Sequence, residues 1–290
     1  MREPILPPPR AMLRRCIDNL RDPVRILRHR LATRPAVYPK LRWRAFAVSA
    51  LVLVLIGVFF VDDAIGRQHL RWQPSFAALS ELFTKFGLGY WYLAAPLGWL
   101  LVANQIDWRR LSRRDLLIVY KRTSLAFFIF IGIGLPGLIS LLLKISIGRG
   151  RPLNYQEMGS LVFHPFSISA EFASFPSGHS TIMGAVTAVV MLLFPRTKYA
   201  VLAITLWITS TRIFVGAHYF SDAVAGYALG FGLAVVVAAV FARLGFVFRP
   251  VPVGFPVPRR TLWSLPRRTK PVAGAQDRHV LSASEPAPRS

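Results

Sequence analysis

Lys144–Pro152 (KISIGRGRP), Pro176–His179 (PSGH) and Thr211–Asp222 (TRIFVGAHYFSD) are the polar blocks of a chain that is otherwise largely apolar. Lys144, Arg151, His179, Arg212, His218 and Asp222 each lie beside a long apolar run rather than in the tails. Ionisable groups at the edge of a membrane span are costly to keep, so their gathering there points to function. Cations, imidazoles and one carboxylate are the kit for handling a phosphate.

Outward from these blocks, apolar runs recur at residues 45–61, 88–104, 124–143, 180–194, 199–213 and 222–242. At about 1.5 Å rise per residue, each covers a hydrocarbon core of about 30 Å or nearly so, the fourth and fifth being short. The expected fold is all-α, a polytopic membrane bundle of six transmembrane helices. The chain has 290 residues, of which 53% are hydrophobic and 17% charged, with a mean hydropathy of +0.44. A soluble domain of that length carries more charge.

The net charge of +23 suggests nucleic acid until its distribution is considered. Residues 1–44 hold 12 Lys and Arg against 3 Asp and Glu, and residues 243–290 hold 9 against 2. With the N-terminus inside, the inner segments hold 29 of the 36 Lys and Arg, so the positive-inside rule accounts for the charge and no groove-reading motif accompanies it. Both termini are thereby expected in the cytoplasm, with Lys144, His179 and His218 at the opposite face. The single cysteine, Cys16, forms no intramolecular disulfide.

Three units follow: a basic cytoplasmic tail (1–44), whose moderately amphipathic piece from Met12 to Leu31 suits either an anionic membrane surface or a plain tail that keeps the N-terminus inside, a six-helix membrane domain (45–242), and a basic, disordered cytoplasmic tail (243–290). Residues 1–44 lack the apolar core of a secretory signal. Ser75–Phe86 carries Phe76, Leu79, Phe83 and Phe86 at near-helical spacing, an interfacial helix, and Tyr90, Trp91 and Tyr92 stand at the depth of an aromatic belt. Gly132, Gly134 and Gly137 spell G-x-G-x-x-G, but no strand precedes them, and small-residue helix packing is the reading preferred over a dinucleotide site.

Lys144 and Arg149 taken alone are ordinary snorkelling residues at a helix end. Ser177 and Gly178 precede the fourth span, where unpaired backbone N–H groups suit a phosphate oxygen; Ser177 also suits a plain helix cap. If His218 belongs to the first turn of the sixth span, Asp222 lies at i+4, beside the imidazole, where it holds one ring N–H and aims the other nitrogen at a substrate. That carboxylate favours His218 over His179 as nucleophile.

The three blocks resemble the type 2 phosphatidic acid phosphatase family, whose pattern is KxxxxxxRP, PSGH and SRxxxxxHxxxD. Thr211 stands where the pattern has Ser and keeps the hydroxyl. The resemblance covers about residues 45–242. It implies that His218 attacks phosphorus and forms a phosphohistidine, that Asp222 orients it, and that His179 protonates the leaving oxygen. It also implies that Lys144, Arg151, Arg212, Ser177 and the Gly178 N–H hold the non-bridging oxygens. No cofactor and no metal is required, because Asp62, Asp63, Glu81, Glu157, Glu171 and Asp222 form no carboxylate–histidine cluster in the sequence.

The expected function is hydrolysis of a lipid phosphate or diphosphate at the outer, periplasmic face of a bacterial inner membrane. The loop from Leu153 to Phe175, with Tyr155, His164 and Phe166, is expected to choose the lipid. A phosphotransferase on the same scaffold and a non-catalytic membrane protein are the alternatives. The sequence sets no oligomeric state.

Overall fold

In the computed structural model, residues 9–34, 40–68 and 74–262 are described. Inside a bilayer only helices and closed barrels satisfy every backbone N–H and C=O, so the apolar runs form helices. In chain order these are α1 (Pro9–Thr33), α2 (Trp43–Ile56), α3 (Asp62–Gln68), α4 (Pro74–Thr84), α5 (Tyr90–Gln105), α6 (Arg113–Ile147), α7 (Tyr155–Met158), α8 (Gly178–Leu193), α9 (Lys198–Phe214) and α10 (Phe220–Leu244).

Four helical stretches are long and apolar enough to cross a membrane: Trp43–Gln68, Ser75–Gln105, Arg113–Ile147 and Phe220–Leu244. The second breaks between Thr84 and Tyr90, which separates α4 from α5. The two short runs of the sequence become α8, with 16 residues, and α9, with 17. Helices of that length reach about 24–26 Å. α8 compensates by standing at the centre: Met183, Ala185 and Ala188 have no exposed surface.

The crossing of α8 and α10 brings the second and third polar blocks together, and glycine makes it possible. A Cβ on Gly184 would lie 2.0 Å from the Tyr227 carbonyl oxygen, and one on Gly230 would lie 1.9 Å from that of Thr181. Backbone therefore touches backbone, as at small-residue interfaces between membrane helices. Gly230→Ala is expected to destabilise the protein by about 1–3 kcal/mol through overpacking, read as a lower melting temperature in detergent. Gly98→Ala is the control, since nothing lies within 4 Å of its added methyl.

The glycines of α6 also serve packing. Gly132 and Gly137 face Val189 and Ile182 of α8 at 3.3 and 3.1 Å, and Gly134 faces Leu93 of α5 at 3.7 Å, each measured from an added Cβ. α4 forms as expected from its spacing but is more than a surface helix. Phe76 packs on Phe214, with centroids 4.8 Å apart, and Phe83 on Trp207, at 6.2 Å. Leu79 and Phe86 remain exposed.

The expected disorder of the C-terminal tail does not hold as far as residue 262. After α10 the chain turns at Gly245, buries Val247 and Phe248, and pairs β1 (Phe248–Arg249) antiparallel with β2 (Val257–Pro258). The Phe248 ring meets Phe128 edge-on at 4.8 Å, and Arg259 Nε donates to the Phe248 carbonyl at 3.1 Å. Two buried apolar side chains fix a segment whose Pro and Arg content suggests otherwise. The remainder of that tail lies outside the described residues.

Candidate active site

All three blocks end at one end of the bundle. Lys144 sits in the last turn of α6, which stops at Gly148 in the left-handed region, φ 60°. A Cβ there would lie 1.7 Å from the His164 carbonyl oxygen, so glycine is needed. The loop folds back on itself through Gly150 N–H to the Val162 carbonyl (2.9 Å), Arg151 N–H to Glu171 (3.0 Å) and Ser174 N–H to Arg149 (3.0 Å). Ser177 caps α8, accepting from the Ser180 N–H at 3.4 Å, and its own N–H donates to the Asp222 carbonyl at 3.0 Å. That last bond ties the second block to the third.

Arg212 lies in the last turn of α9, where Nη1 donates to Thr84 Oγ1 of α4 at 3.0 Å. The N–H groups of Ala217 and His218 both bond back to the Arg212 carbonyl, at 3.1 and 3.3 Å, around Gly216 at φ 66°. The five-residue spacing between Arg212 and His218 is thus one closed turn. Thr211 is buried and spends its hydroxyl on the Ile208 carbonyl at 2.6 Å.

His218 is 1% exposed. Burial pushes its imidazole well below the ordinary value, and the positive field of Lys144, Arg212 and Arg151, with His179, pushes the same way. Both effects favour the neutral imidazole. Burial also lowers Arg151, against the pull of Asp222. A Cβ on Gly178 would lie 3.6 Å from Nζ of Lys144, so the α8 N-terminus and that ammonium face the same space. Nε of Arg151, Nε of Arg212 and Nδ1 of His218 are buried without a hydrogen-bond partner among the described residues. Buried donors left unsatisfied each cost about 1–3 kcal/mol. The two guanidinium donors, with the Lys144 ammonium and the N-terminus of α8, make a site suited to an anion with many acceptor oxygens.

The neutral state of His218 has a consequence for stability. Its folded pKa lies below the unfolded value of about 6.5, so the unfolded chain takes up the proton first. Stability from this group is complete above that value and falls as pH drops through it. The melting temperature is expected to fall between pH 7.5 and pH 5, by less in His218→Asn than in the wild type.

Asp222 does not hold His218 as the i,i+4 reading expects. α10 begins at Phe220 with Tyr219 as its cap, so His218 lies outside the helix and the spacing loses its helical geometry. Nδ1 of His218 stands 3.9 Å from Asp222 Oδ2, too long for a hydrogen bond. The carboxylate is taken by other donors: Tyr219 N–H (2.9 Å), Ser174 Oγ (2.5 Å) and Arg149 Nη1 (2.6 Å).

Arg149 is no snorkelling residue. It is 2% exposed and bridges Asp222 and Asp62, its Nη2 donating to Asp62 Oδ2 at 2.9 Å, with further bonds to Ser221 Oγ (2.7 Å) and the Ser160 carbonyl. Its guanidinium also stacks over the Tyr219 ring, 4.5 Å from the centroid. Burial alone would lower its pKa, but Asp222 and Asp62 together hold it raised. Asp62, expected as an outer-face carboxylate, is wholly buried and also accepts the Ser221 N–H at 3.1 Å. It reaches that position because Gly57–Val61 forms a π-helical turn after α2, with Gly57 packed on Ser221.

Residues 125–246 match the PAP2 superfamily. Over 224 residues the chain is 36% identical to the lipid A 1-phosphatase of Rhizobium johnstonii, covering 77% of this chain and 90% of that protein. The chain belongs to the PAP2 superfamily. It is also 35% identical to the lipid A 1-phosphatase of Rhizobium etli, over 77% of this chain and 95% of that one. The crystal structure of a transmembrane PAP2-type phosphatidylglycerolphosphate phosphatase from Bacillus subtilis aligns over 67% of this chain and 92% of its own, at 20% identity and a TM-score of 0.45.

All three polar blocks fall inside the PAP2 match, and so does Arg149. Asp62 does not; the buried ion network of this PAP2 protein is completed from a helix outside the matched segment. The loop residues expected to choose the substrate divide. Tyr155 docks on α3, packing on Gly66, donating to Asp63 and accepting from Arg67 Nε at 3.3 Å. His164 stacks on Phe172 at 4.3 Å, while Phe166 is 78% exposed. Beside Lys144, Gly178 and His179 opens a groove of about 240 Å³, walled by Leu88, Gly137, Leu141 and Ile182 between α6, α8 and the turn that precedes α5.

Proposed function

We propose that this PAP2 protein removes phosphate from a membrane lipid through a phosphohistidine on His218, with the 1-phosphate of lipid A as its leading substrate. The observation that carries the reading is a buried His218 in the positive field of Lys144, Arg212 and Arg151, with His179, at one end of a bundle that holds four helical stretches long enough to cross a membrane. The curated relatives named above support the choice of lipid. The apolar groove beside Lys144 and His179 supports a substrate whose hydrocarbon part stays in the bilayer.

Nδ1 of His218 faces Asp222, which leaves Nε2 for phosphorus. Its lone pair forms the N–P bond as the P–O bond to the lipid breaks, and His179 gives a proton to the departing oxygen. Lys144, Arg151, Arg212 and the N–H groups at the start of α8, with Ser177 as its cap, stabilise the charge on the non-bridging oxygens. Asp222, at 3.9 Å, offsets the positive charge that His218 acquires. Water, deprotonated by His179, then attacks phosphorus and frees His218. The six helical runs cross the inner membrane, both termini lie in the cytoplasm, and the site faces the periplasm; the Lys and Arg distribution supports this orientation.

The scheme uses no metal. Asp62 and Asp222, the buried carboxylates at the site, are both committed to Arg149. Activity is expected to survive excess EDTA and to be inhibited by vanadate, which mimics five-coordinate phosphorus. Loss with EDTA and recovery with Mg²⁺ would contradict it. The substrate is tested by incubating purified protein with bis-phosphorylated lipid A, phosphatidic acid, phosphatidylglycerol phosphate and undecaprenyl diphosphate. Free phosphate from position 1 of lipid A, at a rate well above the others, is the expected result. Transfer of the label to an added lipid acceptor would favour the phosphotransferase reading.

A further inference from the structure

The helix α1 is not used by the reaction, and its surface is patterned. Ile17, Val24 and Leu31 recur every seven residues and are 53%, 47% and 42% exposed. Arg14, Arg21 and Arg28 recur at the same interval and are exposed, as is Arg25. Residues seven apart drift by only about 20° around a helix, and residues three apart are neighbours on its surface. The helix therefore carries an apolar stripe with an arginine stripe directly beside it.

A different side of α1 is fixed to the bundle. Asn19 Nδ2 donates to the carbonyls of Asn104 and Ile106, at the end of α5, at 2.8 and 3.0 Å. Arg30 donates to the Leu244 carbonyl, at the end of α10, at 3.1 Å and to Tyr120 of α6 at 3.2 Å, with its guanidinium 4.7 Å from the Phe246 ring centroid. The anchors sit eleven residues apart, about 16 Å along the helix, on the ends of two different membrane-length helices. α1 thus runs across the end of the bundle opposite Lys144, His179 and His218, where α5 and α10 end.

We propose that α1 is an interfacial helix that binds the anionic headgroups of the leaflet at that end: Ile17, Val24 and Leu31 enter the acyl boundary while Arg14, Arg21, Arg25 and Arg28 pair with lipid phosphates. Charge complementarity selects the occupant. A neutral surface would satisfy the apolar stripe but leave the arginines unmatched, whereas a polybasic helix beside a membrane gains from each cation held near anionic lipid. The binding is independent of the phosphatase reaction.

The test uses the full chain with Cys16→Ser, carrying Val24→Cys or His29→Cys labelled with an environment-sensitive fluorophore, in nanodiscs holding one copy each. The lipid is phosphatidylcholine alone or with one-third phosphatidylglycerol. The Val24 probe is expected to be shielded from acrylamide at least about threefold better with phosphatidylglycerol than without, while the exposed His29 position stays open in both. Replacing Arg14, Arg21, Arg25 and Arg28 by Gln should remove the difference without changing the melting temperature in detergent. If that variant fails to fold, half-molar salt should reduce the difference in the parent, because exposed charges are screened. Equal quenching at the two positions in anionic nanodiscs, or shielding indifferent to both the arginines and salt, would overturn the proposal.

Discussion

Replacing His218 with alanine is expected to lower kcat by about 10⁴- to 10⁶-fold, the scale seen when a catalytic nucleophile is removed, with the fold retained. Retention is expected because Nδ1 of His218 has no hydrogen-bond partner among the described residues, so its removal strands nothing. The contrast with His179→Ala separates the two imidazoles. A general acid matters less when the departing oxygen is already a good leaving group. An aryl ester of the lipid phosphate should therefore restore to His179→Ala much of the first-turnover burst of aryl alcohol, the water step that follows staying slow, and should restore none of it to His218→Ala. Equal rescue of both would take the nucleophile's role from His218.

Arg149→Met is expected to have the largest effect on stability. Two buried carboxylates, Asp62 and Asp222, lose their countercharge at once, and breaking a buried pair by removing one partner typically costs about 3–5 kcal/mol. Asp62→Asn should cost less, since Asp222 keeps its arginine, and Arg149→Lys should recover little, because an ammonium lacks the fork that reaches both carboxylates and Ser221. Melting temperature in detergent reads the effect. An Arg149→Met protein as stable as the wild type would show that the network is incidental to the fold.

The sequence made the three blocks legible because each pairs a distinctive spacing with an apolar run, and the spacing is a backbone requirement: Arg212 to His218 is one closed turn around Gly216, and PSGH is a helix start. The helical runs were legible for the same reason, since hydropathy and backbone satisfaction act together in lipid. Arg149 was not. A cation at a helix end has an ordinary explanation, and its partner Asp62 lies 87 residues earlier behind a π-helical turn that no composition signal announces. The place of Asp222 was half legible. Its closeness to His218 follows from the spacing, but the start of α10 at Phe220, two residues past His218 and capped by Tyr219, leaves a 3.9 Å approach where the spacing suggests a hydrogen bond. Residues 245–262 were misjudged because Pro and Arg content outweighed Val247 and Phe248, which only the packed bundle could bury.

The central claim is that phosphorus passes through the His218 ring. Purified protein mixed with ³²P-labelled lipid A 1-phosphate, quenched in alkali during turnover and digested, should yield one labelled peptide, with the phosphoryl group on His218 and lost on acidification. Single-turnover release of phosphate with no labelled peptide, or a label on His179, would contradict it.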